Sequence, residues 1–188
     1  MVMPALPSHT DWTAEMVRAI PDDGNRYEVI DGELFVTPAP SWSHQDAAAD
    51  LFVLLRAFAN EFCLHVMLAP AAVSFSARRE VQPDLFVVPL VRGRRPTRFE
   101  EVGALTLAVE VLSPGMARVD RHRKRRLYQS ERVPEYWIVD PAGRLVERWR
   151  PDDEEPEVLL TMLTWQPREG QDSLIIDLEE YFRQVHGN

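Results

Sequence analysis

One lysine stands among the 21 lysine and arginine residues of this chain. It is Lys124, inside the run Asp120-Arg121-His122-Arg123-Lys124-Arg125-Arg126-Leu127-Tyr128, shortly after a β-branched segment that carries Glu110. A guanidinium suits forked salt bridges and phosphate grip, whereas an ammonium is a compact point charge that can approach a reacting oxygen or share a site with a metal. A composition that disfavours lysine accounts for the same count without chemistry.

Two carboxylates sit where charge is unexpected. Asp84 opens the segment 84–88, and Glu110 interrupts the apolar segment 105–112. Strand alternation places Gln82, Asp84, Phe86 and Val88 on one face and groups Thr106, Ala108, Glu110 and Leu112 in the same way. An isolated carboxylate in such a strand is costly unless it is paired, hydrogen-bonded or bound to metal. A salt bridge to a nearby arginine is one reading. The other is metal ligation: two carboxylates from adjacent strands, with a carbonyl oxygen such as that of Val111 and water, suit Mg²⁺, with Mn²⁺ able to substitute. Asp120, Lys124 and Tyr128, spaced by four, share one helical stripe, so Lys124 can face that metal. The chemistry this predicts is phosphodiester hydrolysis, in which the metal polarises the phosphoryl group and the lysine orients water or stabilises charge on the phosphorus oxygens. A plain Asp120–Lys124 pair worth roughly a few tenths of a kcal/mol explains the spacing equally well.

The elements that must carry these residues alternate. A short helix is expected from Thr10 or Asp11 through Ile20, stopped by Pro21 and Gly24. Residues 26–30 and 33–37 flank Asp31-Gly32, a dipeptide that accepts positive φ, and read as a β-hairpin ending at Pro38 and Pro40. Ser41 caps a long helix to about Asn60, with Ala47, Leu51, Leu54, Leu55 and Phe58 at helical spacing. Strands follow at 64–68, 72–75, 84–88 and 105–112. After Ser113-Pro114-Gly115 comes a basic helix over 118–130, then a hairpin of 135–139 and 144–150, edge strands at 158–163 and 173–176, and a terminal helix from Asp177. The sum is an α/β (α+β) domain on one mixed sheet, a single domain over residues 1–188.

The net charge of −9 argues against a polyanionic partner at face value. Its distribution qualifies this, because residues 127–188 hold 6 basic against 14 acidic side chains, leaving the earlier part nearly neutral. Within that part, Arg92, Arg94, Arg95 and Arg98, and then Arg118 through Arg126, form two basic patches, although charge runs are usually solvated faces. No apolar run approaches the roughly 18 residues of a membrane span, and the N-terminus lacks a basic start before an apolar core, so a cytoplasmic protein is expected. A single cysteine, Cys63, excludes an internal disulfide and reads as a small buried apolar residue. His9, His65, His122 and His186 have no metal-ligand spacing.

Five stretches then fall in one order: Arg26-Tyr27-Glu28-Val29-Ile30-Asp31-Gly32-Glu33-Leu34; Ser41-Trp42-Ser43-His44-Gln45; Val81-Gln82-Pro83-Asp84; Glu110-Val111-Leu112-Ser113-Pro114 followed by Asp120, Lys124 and Tyr128; and Val133-Pro134-Glu135-Tyr136-Trp137-Ile138-Val139-Asp140-Pro141. Together, over about residues 26–150, they resemble the Uma-two family, assigned among bacterial restriction endonucleases in the PD-(D/E)XK nuclease superfamily. The resemblance implies a restriction-endonuclease-like mixed β-sheet flanked by helices, a divalent metal, and DNA as substrate, with Asp84 and Glu110 as metal carboxylates. The superfamily pattern would put lysine two residues after the glutamate, where this chain has Leu112; in the family it is supplied by the following helix, where Lys124 stands.

The resemblance also brings Glu33 and Glu28 near the site, one of them as an additional metal ligand; either could instead face solvent on a half-exposed strand, and Glu28 more readily does. His44 could touch a phosphate or carboxylate, or merely cap its helix. Asp120 could orient Lys124. Tyr128 is expected to pack with Trp137. Arg121, Arg123 and Arg125 are the expected nucleic-acid contacts. The reading is a Mg²⁺-dependent endodeoxyribonuclease with catalytic Asp84, Glu110 and Lys124, acting as a homodimer. The alternative is a catalytically silent nucleic-acid or protein-binding module on the same fold.

Overall fold

The computed structural model describes residues 11–37, 39–113 and 115–187. The expected cap Thr10, His9, and Pro38 and Pro114 lie outside them. The first helix is shorter than expected: α1 spans Ala14–Arg18, because Thr13, not Asp11, accepts the capping bond from the Met16 amide at 3.3 Å. The hairpin is as expected, with β1 (Arg26–Ile30) antiparallel to β2 (Glu33–Thr37). Asp31 and Gly32 both take positive φ, 53° and 86°, which a two-residue turn joining right-twisted strands requires. The long helix α2 spans Trp42–Ala59, capped by Ser41, and turns Ala47, Leu51 and Leu55 into the core while Leu54 stays partly out.

Then come β3 (Leu64–Leu68), β4 (Val73–Ser76), β5 (Arg79–Val81), β6 (Leu85–Pro89) and β7 (Leu107–Val111). The strand β5 was not expected. Three residues with two charges give no periodic signal, and the strand exists because β1 and β4 pair with it on either side. The basic segment is not one α-helix. It begins as a π-helical stretch, Val119–Lys124, and only then becomes α3 (Arg125–Ser130). The hairpin β8 (Tyr136–Asp140) and β9 (Leu145–Trp149) follows as expected. The expected strand 158–163 is two strands, β10 (Glu157–Leu159) and β11 (Met162–Trp165), and β12 (Leu174–Asp177) precedes α4 (Leu178–Val185).

The strands form three sheets, not the single sheet expected. Six strands run β10-β9-β8-β7-β6-β3, all antiparallel except β7 with β8; four run β2-β1-β5-β4; β11 pairs with β12. The chain leaves the four-stranded sheet at Val81 and enters the six-stranded one at Leu85, across Gln82-Pro83-Asp84. Pro83 lacks the N–H that a continuing ladder needs, which breaks the two sheets there. The large sheet is covered on both faces. Leu85, Val87, Leu107, Val109 and Trp137 pack towards α2 and α4, while Phe86, Val88, Ala108 and Ile138 meet Tyr128 and the four-stranded sheet through Ile30, Val73 and Val81. A fully buried side chain of this size contributes about 1.5–3 kcal/mol. Tyr181 ties α4 to α2 by donating to the Ala47 carbonyl at 2.7 Å. Cys63 is exposed, at φ 55°, where the chain turns after α2, so it is not the buried apolar residue expected.

Gly32 tests the turn that fixes β1. A Cβ there would lie 2.5 Å from Arg78 Nη2 and 2.6 Å from Asp11 Oδ1, at a φ that alanine resists. Gly32→Ala is expected to lower stability by about 1 kcal/mol or more, read as a reduced urea midpoint at unchanged slope.

Candidate active site

Four elements converge behind the Gln82–Asp84 joint. Asp84 precedes β6, opposite Glu110 on β7, since Leu85 pairs with Val109. The Asp84 carboxylate is saturated: Arg26 Nη1 donates to Oδ1 at 2.8 Å, the Val111 amide donates to Oδ2 at 2.9 Å, and His44 Nε2 lies 3.0 Å from Oδ2. Burial alone would raise this carboxyl, but the His44 hydrogen bond and the Arg26 charge outweigh it and hold it below the usual carboxylate range.

Lys124 is the centre of a second, deeper group. Its Nζ lies 2.9 Å from Glu110 Oε1, 2.9 Å from Glu28 Oε2 and 3.8 Å from Asp120 Oδ1, and all four side chains are buried. Tyr128 donates its hydroxyl to Glu110 Oε1 at 3.2 Å, and Glu28 Oε1 accepts from the Gln82 amide at 2.6 Å. Burial works against the ammonium, yet Glu110, Glu28 and Asp120 together raise its pKa, so Lys124 stays charged. Burial pushes Glu110 well above the ordinary range against the pull of Lys124, and Asp120 up to about 6 for the same reason. The π-helical stretch sets this geometry, placing Asp120 and Lys124 on one side while Tyr136 holds the Asp120 carbonyl by a 3.2 Å hydrogen bond. Such stretches recur at functional sites.

Both groups open on one chamber of about 350 Å³ lined by Arg26, His44, Asp84, Glu110, Asp120 and Lys124. Val111 also lines it. Glu28, Asp84, Glu110 and Asp120 are four buried carboxyls grouped around two permanent cations, Arg26 and Lys124. Burial is the main cause of the raised Glu110 and Asp120 carboxyls, and the neighbouring acids add to it. An all-oxygen donor set of this kind is the chemistry Mg²⁺ takes, with one or two carboxylates direct. Among the described residues, no three His, Cys, Asp or Glu side chains converge as a ready metal cluster. The side chains that could hold such an ion in that mode are Asp84 and Glu110.

Of the residues singled out from the sequence, Asp84, Glu110, Lys124, Asp120, His44 and Glu28 come together. Glu28 is a correction: it does not face solvent but is fully buried, because β1 is covered on both faces. Glu33 does not join them; it pairs at the surface with Arg123 at 2.9 Å. Arg121 is held by Glu147 at 2.7 Å and Asp140 at 3.2 Å, and Arg125 lies over the Trp149 ring at 4.6 Å. Arg118, His122, Arg123 and Arg126 line an open cleft beside them. Tyr128 stacks on Tyr136 at 4.6 Å, not on Trp137, which lies on the other face of the sheet against Trp165. Arg26 was missed as a site residue. No spacing rule connects it to Asp84, 58 positions away.

A family model described as "Uma2: Putative restriction endonuclease" matches residues 14–184. Among solved structures, the one described as "a putative nuclease belonging to DUF820 from Anabaena variabilis ATCC 29413" superposes with a TM-score of 0.75 at 17% identity, covering 92% of this chain and 98% of that chain. At that identity the likeness establishes the fold. Nothing matches among curated proteins.

Asp120 allows a signed test of the surplus acid. Its folded-state pKa of about 6 exceeds the ordinary aspartate value of 3.8, so the folded protein binds more protons between the two and loses stability as pH rises through that window. Asp120→Asn removes that loss. Its thermal midpoint in chelator is expected to exceed wild type at pH 7.5, by on the order of 1–3 kcal/mol in stability, with the gain shrinking towards pH 4.

Proposed function

The chain belongs to the Uma2 family, and from that premise we propose that it is a metal-dependent endonuclease that hydrolyses phosphodiester bonds of DNA. The observation that carries the reading is the single lysine held between Glu28 and Glu110 in the chamber that Asp84 shares. Asp84 and Glu110, with the Val111 carbonyl, would hold Mg²⁺, and Mn²⁺ would substitute. The bound ion supplies Lewis-acid polarisation of a phosphoryl oxygen and a water of lowered pKa.

The chain's own residues do the rest. His44 and Arg26 keep Asp84 ionised, and the Val111 amide helps to fix its orientation. Glu28 and Asp120 hold Lys124 charged and aimed at Glu110. A charged Lys124 can orient the attacking water and stabilise the negative charge that grows on the phosphorus oxygens as the water oxygen bonds to phosphorus and an ester oxygen leaves. Tyr128 fixes Glu110 from the other side. The cleft of Arg118, His122, Arg123 and Arg126 supplies local positive charge for a nucleic-acid backbone on a chain whose net charge is acidic. A cytoplasmic homodimer would present two chambers to the two strands of a duplex.

A second reading rests on the saturation of Asp84 and on the clamp around Lys124: both groups are satisfied by protein partners alone, as a silent binding module would need. Calorimetric Mn²⁺ titration separates the two, because the module has no use for a metal site.

Wild-type protein is expected to nick supercoiled plasmid in Mg²⁺ or Mn²⁺ and not in EDTA. Asp84→Ala should lose both Mn²⁺ binding and cleavage. Lys124→Met should lose cleavage by about 10²-fold or more while still binding Mn²⁺, with folding checked by circular dichroism. Full metal-dependent cleavage by Asp84→Ala would sink the assignment.

A further inference from the structure

Two buried polar atoms near the candidate active site have no partner: Thr37 Oγ1 and His44 Nδ1. Their residues are 8% and 7% exposed. Buried polar atoms in folded proteins are nearly always hydrogen-bonded, so each such exception calls for a ligand, a water or a function. Asp84 is an ionised acceptor, so the imidazole presents its proton to it on Nε2 and leaves Nδ1 uncommitted. Both residues line the acid chamber, and both also line a second chamber of about 310 Å³ on its other side. Arg26 and Asp84 belong to the same shared wall.

The second chamber differs chemically from the first. Leu68 and Pro70 give it apolar surface, and Gln45 and Gln82 give it amides. Its cation, Arg26, is already committed to Asp84 and the Gln82 carbonyl, and Asp22 adds an acid. It therefore has no free positive charge with which to hold a phosphate. What it offers is a mixed lining, apolar at Leu68 and Pro70 and amide at Asn25, Gln45 and Gln82, to which Thr37 and His44 add a hydroxyl and an imidazole. A neutral planar group with adjoining hydrogen-bond donors and acceptors matches that set, and in a nucleic acid that group is an unpaired base.

The geometry points to a base-binding subsite: the second chamber seats an unstacked nucleobase of the strand whose phosphate lies in the acid chamber. The inference rests on the nuclease reading above and deepens it. The strand is bound with one base turned out, so single strands, ends or distorted duplexes are better substrates than a fully paired helix. Discrimination by Thr37 and His44 would fall on the hydrogen-bonding edge of that base. An apolar analogue of the same shape would leave both atoms unpaired.

Gln45 is exposed on α2 and lies outside the acid cluster, so Gln45→Trp can fill the second chamber while leaving every residue of that cluster unsubstituted. The probe is the dinucleotide d(TpT), titrated in EDTA and followed by NMR chemical shifts. Wild type is expected to bind it with shifts around Thr37 and His44. Binding should weaken about tenfold or more in Gln45→Trp and less in Gln45→Ala. The parallel assay is Mn²⁺-dependent cleavage of a single-stranded oligonucleotide and of its perfect duplex, with wild type expected to prefer the single strand and Gln45→Trp to lose that preference. If wild type cleaves but d(TpT) fails to bind, or binds equally to Gln45→Trp, the subsite is wrong and the nuclease reading stands. If d(TpT) binds in a Gln45→Trp-sensitive way but no substrate is cut in any metal, the subsite stands and the nuclease reading falls.

Discussion

The rest of the site depends on one buried ammonium. Lys124 is fully enclosed, and its only compensation is three carboxyl groups delivered by three different pieces of chain: Glu28 from β1, Glu110 from β7 and Asp120 from its own π-helical stretch. Removing the one cation of such a group typically costs about 3–5 kcal/mol, because the carboxylates left behind have no water to turn to. The four-stranded sheet, the six-stranded sheet and the basic segment are therefore held in one mutual position or the charge is unpaired. Hydrophobic packing between the sheets would tolerate small slides; an ammonium at 2.9 Å from two carboxylates does not.

The joint at Gln82-Pro83-Asp84 transmits this constraint. Its first residue donates its amide to Glu28 and offers its carbonyl to Arg26; its last presents a carboxylate to Arg26, His44 and the Val111 amide. Three residues thus bind both sheets and α2 into the site at the point where the chain changes sheet. Proline at the middle position cannot donate to either ladder, so the same residue that ends one sheet frees its neighbours' polar groups for the acids.

Two environments follow on either side of that wall. On one side the carboxyls outnumber the cations and burial raises Glu110 and Asp120, a setting that invites a hard cation. On the other, the cation is spent on Asp84 and the lining mixes Leu68 and Pro70 with the amides of Gln45 and Gln82. Arg26 and His44 separate them, each reaching Asp84 from a different element.

Much of this was legible in the residues themselves. Period-two and period-3.6 patterns, the Asp31-Gly32 turn and the Ser41 cap gave the hairpin, the long helix and most strands, because these depend on local φ/ψ preference and on one face being apolar. Asp84 and Glu110 declared themselves as charges in apolar strands, and Lys124 by being alone of its kind. What stayed hidden depends on distant pairing. The strand β5 exists only between two partners, the split into separate sheets turns on which ladders form, and the π-helical start of the basic segment is set by what Asp120 and Lys124 must reach. Glu28 read as a solvated strand residue because a strand's alternation shows its two faces but not what covers them. Arg26 joins Asp84 across 58 residues, and Arg121 and Arg125 meet Glu147 and Trp149 of β9. The sequence by itself determined the type of most elements and marked Asp84, Glu110 and Lys124, since these follow from local geometry, from the cost of charge in apolar surroundings and from composition. Only the tertiary structure decided which charges meet, since a buried ion group is assembled from segments whose separation in sequence carries no trace of their contact in space.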